Sequence, residues 1–365
     1  MSGLDDYMIH NSPFPVRVMW TSDPRAYERV YFSAIDSTGQ LLVVVGLGFY
    51  PNLGTADGFA IVNRSGSHTT VRGHRLLGDD RMDMSLGPIK LEVVEPFKQW
   101  KLSLAENEYG VSFELDWFDT KRASYRDYGD MVKNLSMGRP RAGYETLGRV
   151  QGWVKVGDET ITLDRETSAG SRDHHWGARK GVGGKGAGPS AFPEVNDHYH
   201  SGEFVDFSDW AIFADNVFYN LGDSRRSCPV RKGERALRID PKTKLLLGGE
   251  ATITLETGEQ KFYKFDTVPG MTAFLRCGMY GGFAGRGGTP GTDIWHGQYV
   301  GDMVVTGETI DVTDPATQWE LSGLDDAVAR FECDGEVTFG ITETETAVLL
   351  DGIKLGARGL SLLSD

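Results

Sequence analysis

Cysteine is scarce: Cys228, Cys277 and Cys333 are the only thiols among 365 residues. An odd count at wide spacing argues against a disulfide framework, and the paired spacing of a zinc site is missing, so all three read as reduced side chains. Positive charge is also short. Lys and Arg number 38 against 52 Asp and Glu, and the formal charge of −14 opposes attraction to nucleic acid or an anionic membrane. No window approaches ~18 consecutive apolar residues. The N-terminal MSGLDDYMIHN has neither a basic nor an apolar signal region, so the expected setting is the cytoplasm, without an integral membrane segment. Walker A, HExxH and GxSxG sequences are absent. Gly181, Gly183 and Gly186 spell GxGxxG, but Pro189 and Pro193 stand where a phosphate-binding helix would begin. No dinucleotide cofactor is expected.

What the sequence does contain is strand material. Runs such as RVYFSAI (29–35), QLLVVVGLGFY (40–50), GFAIV (58–62), VSFELDWF (111–118), LGRVQGWVKV (147–156), EATITLE (250–256) and VARFECD (328–334) are rich in β-branched and aromatic residues and bounded by turn formers. The 47 glycines against 14 prolines imply many turns. Only ASYRDYGDMVKNLS at 123–136 has helical spacing. The predicted class is all-β, as two tandem antiparallel barrels or sandwiches, residues 1–165 and 166–365. The Gly/Pro-rich stretch 178–197 reads as a long loop, and long ordered loops are often lids.

Chemistry concentrates in SRDHHWG at 171–177. In an extended chain Arg172, His174 and Trp176 share one face, and Asp173 and His175 the other. A carboxylate beside an imidazole can orient its tautomer and tune it for proton transfer, and an indole offers a flat apolar wall. A polar network tying two β-units together would use the same residues. In WAIFADNVFY (210–219), one continuous strand would place Phe213, Asp215 and Tyr219 on one face, whereas a turn at Asp215 and Asn216 would not. Trp210, Tyr50, Asn52, Tyr280, Trp295 and His296 are further candidates for a ligand wall, most of them beside glycines that permit close approach. His198, His200 and Glu203 form HxHxxE; surface histidines are the preferred reading, and no metal is expected.

RDHHWG, following GWVKVGDETITL, resembles the RDHxWG signature of the AttH-like and carotenoid 1,2-hydratase-like superfamily, similar in fold to tocopherol cyclase. GFYPNLGTADGFAIV and LGDDRMDMSLGPIKLEVVEPFKQWKLSL resemble the N-terminal unit of a bacterial branch. The resemblance implies two tandem lipocalin-like units, a ligand site near their junction, and no organic cofactor or metal. It also implies roles for a His-x-Trp pair and a downstream Asp, matched here by His174, Trp176 and Asp215.

The resulting expectation is a cofactor-independent lyase or isomerase acting on a hydrophobic or aromatic small molecule, in a chain compatible with a homodimer. His174 transfers the proton, Asp173 orients it, Arg172 stabilises an anionic oxygen, Trp176 is the wall, and Asp215 and Tyr219 are second candidates. Alkene hydration or dehydration is one version. Elimination or retro-aldol cleavage, such as formaldehyde loss from a phenolic phenylpropanoid-type dimer, is another. A non-catalytic lipocalin-like carrier is the alternative.

Overall fold

The computed structural model describes residues 19, 21–120, 124–126, 141–179, 181–184, 205–207, 212–214, 217–219, 227–243, 245–255, 257–282, 286–344 and 360–363. Of these, 124–126, 141–142, 205–207, 212–214, 217–219, 227–233 and 360–362 are described by backbone alone.

The all-β expectation holds. The first sheet contains β1 (Ala26–Ile35), β2 (Leu41–Tyr50), β3 (Thr55–Arg64), β4 (Ser67–Leu76), β5 (Ser85–Leu86), β6 (Ile89–Glu95), β7 (Gln99–Leu104), β8 (Val111–Asp119), β9 (Ser124–Arg126), β10 (Arg141–Val156), β11 (Glu159–Leu163) and β12 (Ala169–Ala178). The second contains β13 (Val205–Phe207), β14 (Ile212–Ala214), β15 (Val217–Tyr219), β16 (Ser227–Ile239), β17 (Leu246–Leu255) and β18 (Gln260–Phe274). The chain then returns to the first sheet with β19 (Met303–Asp311) before α1 (Pro315–Leu321), and finishes in the second with β20 (Asp325–Cys333), β21 (Glu336–Thr344) and β22 (Leu360–Leu362).

The first sheet runs β19-β4-β3-β2-β1-β12-β10-β8-β7-β6-β5, with β9 and β11 paired to β10. It curls until Leu86 of β5 lies over Gly58 and Gly73, where a Cβ at either glycine would fall under 3.0 Å from Leu86 atoms. The second runs β15-β14-β13-β21-β20-β18-β17-β16-β22, and an additional β15–β16 pairing closes a ring from which β22 extends. Closure removes the open edges that would otherwise invite pairing with another chain.

Two departures from the sequence reading have local causes. Asp314 caps α1 by accepting from the Thr317 N–H, with Pro315 at its first position; seven residues are too few to show a helical period. Ser124–Arg126, expected as helix, pairs with β10 as strand, because a free β10 edge offers the backbone partners that a weak helical period cannot. The remainder of 123–136 lies outside the described residues.

Strand β2 is apolar almost throughout because both of its faces are buried. Val43, Val45 and Leu47 fill the interior of the first sheet with Phe32, Trp100 and Trp117. Leu42 and Val44 join Tyr31, Phe59 and Ile61 on the outer face, against Met271, Ala273, Val328 and Ile341 of the second sheet. The junction of the two sheets is therefore an apolar core in its own right. Among the described residues, no helix is long and apolar enough to cross a membrane.

Candidate functional site

Strand β12 lies between β1 and β10, so alternation sends its side chains to two different compartments. The interior of the first sheet receives Arg172, His174 and Trp176. Directly opposite on β1 stand Phe32, Val30 and Glu28, and on β10 Thr146, Tyr144 and Ala142. The junction receives Asp173 and His175, opposite Tyr31 and Arg29 on β1 and Glu145 and Gly143 on β10. The expected split of the segment is present. The side meeting the second sheet is that of Asp173 and His175.

On the interior face the Arg172 guanidinium is fully buried and grips Asp119 with two parallel bonds, Nε to Oδ1 at 2.7 Å and Nη2 to Oδ2 at 2.6 Å. Its Nη1 donates to the Tyr144 hydroxyl at 3.0 Å. Three of the five guanidinium N–H groups are therefore committed to the protein, so the group expected to hold a substrate oxygen is built into a buried protein network. Tyr144, already accepting from Arg172, directs its own O–H toward His174 Nδ1 at 3.4 Å. That leaves the His174 proton on Nε2, donating to Glu28 at 3.0 Å. Glu28, and not Asp173, is the carboxylate that orients His174. Burial raises the Glu28 carboxyl, but His174 and Arg81, which donates to it at 2.6 Å, together hold it below its ordinary range. Trp176 packs edge-on to His174, and exposed Phe97, with a positive φ of 58°, leans on Tyr144. This end of the interior is open, with the His174 side chain 22% and Glu28 38% exposed.

The junction face holds a denser and drier cluster. One row across the sheet reads Gly143, His175, Arg29, Gly48, Asp57 and His74. The glycines make room: a Cβ on Gly143 would lie 1.9 Å from His175 Cδ2, and one on Gly48 would lie 2.8 Å from Arg29 Cγ. His175 Nδ1 sits 3.3 Å from Asp173 Oδ1. Arg29 Nη1 donates to His296 Nε2 at 2.8 Å, so the His296 proton is on Nδ1, facing Asp57 Oδ1 at 3.3 Å. Asp57 also accepts from the Tyr50 hydroxyl at 2.9 Å and the Gly297 N–H at 2.6 Å. Burial and the neighbouring Arg29 push His296 down to about 3, which keeps it neutral. Arg29 lies over the Tyr280 ring at 4.1 Å and Arg179 lies 5.2 Å from the same ring.

From the second sheet, Asp326 reaches across to accept a hydrogen bond from the Tyr31 hydroxyl. Its other oxygen, Oδ1, has no hydrogen-bond partner among the described residues. Burial pushes this carboxyl to about 7; the Tyr31 bond pulls it down and the Asp173 charge pushes it up. Asp325 beside it is also raised by burial to about 7. A carboxyl that keeps its proton near neutrality, beside an Asp–His pair, has the parts of a general acid and a general base.

The remaining expected residues are distributed unevenly. Tyr50, Tyr280 and His296 belong to the junction cluster. Trp295 stacks beside it against Gly181, Gly184 and Gly281, with Nε1 donating to Asp293 at 3.2 Å. Asn52 serves a turn, donating to the Thr21 and Asp23 carbonyls. Stretch 210–219 is not one strand: β14 and β15 pair antiparallel with Ala214 opposite Val217, so no continuous face unites Phe213, Asp215 and Tyr219. Trp210 and Asp215 lie outside the described residues, as do His198, His200 and Glu203, and Phe213 and Tyr219 are described by backbone alone. Among the described residues no group of three metal-ligating side chains occurs. Missed by sequence reasoning were Glu28, Tyr31, Asp57, Asp119, Tyr144 and Asp326. Asp57, a carboxylate inside an otherwise strand-like run, is the one whose sequence setting carried a signal.

Residues 1–233 match a family model described as a family of unknown function, DUF8625. No curated protein matches. Among solved structures, the crystal structure of kievitone hydratase from Nectria haematococca is similar at a TM-score of 0.42 and 11% identity, over 92% of this chain and 94% of that one.

Proposed function

The chain belongs to DUF8625, a family of unknown function, and from that premise we propose that it is a cofactor-independent acid–base lyase whose reaction occurs between the two sheets. The observation that carries this reading is Asp326, buried, bound to Tyr31 through one oxygen, without a hydrogen-bond partner at the other among the described residues, and within electrostatic reach of Asp173, which pairs with His175. In the hydration direction Asp326 Oδ1 gives a proton to one carbon of a double bond. Water adds to the other carbon and loses its proton to His175, held by Asp173. One water is consumed, and dehydration is the reverse. The apolar core that contains Phe59, Met271 and Met279 borders this cluster and is compatible with a hydrophobic substrate, and elimination with carbon–carbon cleavage in a phenolic dimer makes the same demand for an acid and a base. The AttH-like resemblance supports the same class.

A second reading is favoured by the Tyr144–His174–Glu28 row, which sits at an open end beneath Trp176 and makes His174 the proton-transfer group. One experiment separates the readings. Purified protein is incubated in heavy water with a panel of unsaturated and hydroxylated aromatic compounds, and water addition, water loss or fragment release is read by mass. Asp326→Asn is expected to lower turnover about 10²–10⁴-fold, while His174→Phe stays within a few fold. The opposite result moves the chemistry to the interior end. Ligand binding with no turnover by the wild-type protein identifies a carrier.

A further inference from the structure

Arg29 and Arg172 are both buried, one facing the junction and one the interior of the first sheet, and the second shows what the first lacks. Arg172 uses its Nε and Nη2 edge to hold the Asp119 carboxylate with two parallel bonds. Arg29 is 4% exposed, and its Nη1 is committed to His296. Its Nε and Nη2, the same edge, make no hydrogen bond among the described residues. Leaving a buried cation with a vacant bidentate edge is costly, because its protons have lost water and gained nothing. Nearby Asp57 does not fill that edge, since its oxygens accept from Tyr50, Gly297 and His296.

We propose that the Nε–Nη2 edge of Arg29 binds a carboxylate of the substrate at the junction, and that His296 and Asp57 are positioning residues that hold the guanidinium in place. This deepens the junction reading and rests on it. The planar fork matches a carboxylate in geometry as well as charge. Tyr280 supplies a flat surface under Arg29, and Arg179 on the same ring adds a second positive charge. His296 can serve only as the Nδ1–H tautomer, because its Nε2 lone pair must accept from Arg29; Asp57 selects that tautomer. The substrate class that follows is a hydrophobic, aryl-bearing carboxylic acid.

The test is calorimetric binding of 3-phenylpropanoate and its neutral isostere 3-phenylpropanamide to the full chain. The wild-type protein is expected to prefer the acid by at least about tenfold, the scale of a charge-assisted pair. Arg29→Met is expected to abolish that preference while still binding the amide, and Arg29→Lys to retain only part of it. His296→Leu should weaken acid binding and leave amide binding unchanged, an asymmetry that general structural damage would not produce; His296→Gln, which can still accept from Arg29, should restore part of it. Equal binding of acid and amide by the wild type, no binding of either, or an acid preference that survives Arg29→Met overturns the proposal. Asp326→Asn keeps Arg29 intact and should preserve the preference. If the preference is intact but Asp326→Asn leaves turnover unchanged, the junction chemistry fails and the carboxylate site stands; if turnover collapses but no preference exists, the reverse holds.

Discussion

The two faces of β12 carry similar residue types into different surroundings. On the interior face, Arg172 and Asp119 form a closed pair, Tyr144 and His174 are hydrogen-bonded in series, and Glu28 at the end meets solvent. On the junction face, Arg29 Nε and Nη2 and Asp326 Oδ1 are buried without a hydrogen-bond partner among the described residues. The difference teaches that density of titratable groups does not by itself locate chemistry. A group whose bonding capacity is filled by the protein builds structure, whereas a buried group left with unused capacity is poised for something else.

Substitutions can break this contrast in a definite order. The largest effect is expected from Arg172→Met, which strands the Asp119 carboxylate in the interior and should cost about 3–5 kcal/mol in chemical denaturation. Gly143→Ala comes next, at about 1–3 kcal/mol, because its new methyl would overlap His175 and lie 2.7 Å from the His174 carbonyl. Tyr31→Phe, which leaves Asp326 without its donor, should cost about 1–3 kcal/mol. His174→Phe, at a partly exposed position, should cost about 1 kcal/mol or less. If His174→Phe proves more damaging than Tyr31→Phe, the assignment of the junction as the tightly built face is wrong.

Acidity sharpens the same comparison. Asp326 keeps its proton up to about 7 in the folded protein, against an ordinary value of 3.8. Between those values the folded state binds more protons than the unfolded one, so the contribution of Asp326 to stability falls as pH rises through that window and is level above about 7. Asp325 acts in the same direction. Asp326→Asn should therefore reduce, without abolishing, the downward slope of stability measured between pH ~4 and ~7. An unchanged slope would show that Asp326 titrates as an ordinary carboxyl. Glu28 on the other face, held below its ordinary range by His174 and Arg81, contributes with the opposite sign.

The all-β class and the alternation of SRDHHWG were readable from local pattern, because a strand period of two and the residues that punctuate turns are properties of neighbours in the chain. That local rule placed Arg172, His174 and Trp176 together and set Asp173 and His175 apart. Which face would meet the second sheet was decided only by packing, since the partners of β12 come from residues far away in sequence: Asp119 and Tyr144 bond Arg172 on one side, and β21 packs near the strand from the second sheet. The same holds for the partners. Glu28 orients His174 because β1 lies beside β12, and Asp173 cannot, because adjacent side chains of a strand point apart. Composition and period thus determined the elements and their two-sidedness. The tertiary structure alone decided which side is a filled network and which has bonding capacity to spare, because only long-range contacts set the burial of a charge and the identity of its partner.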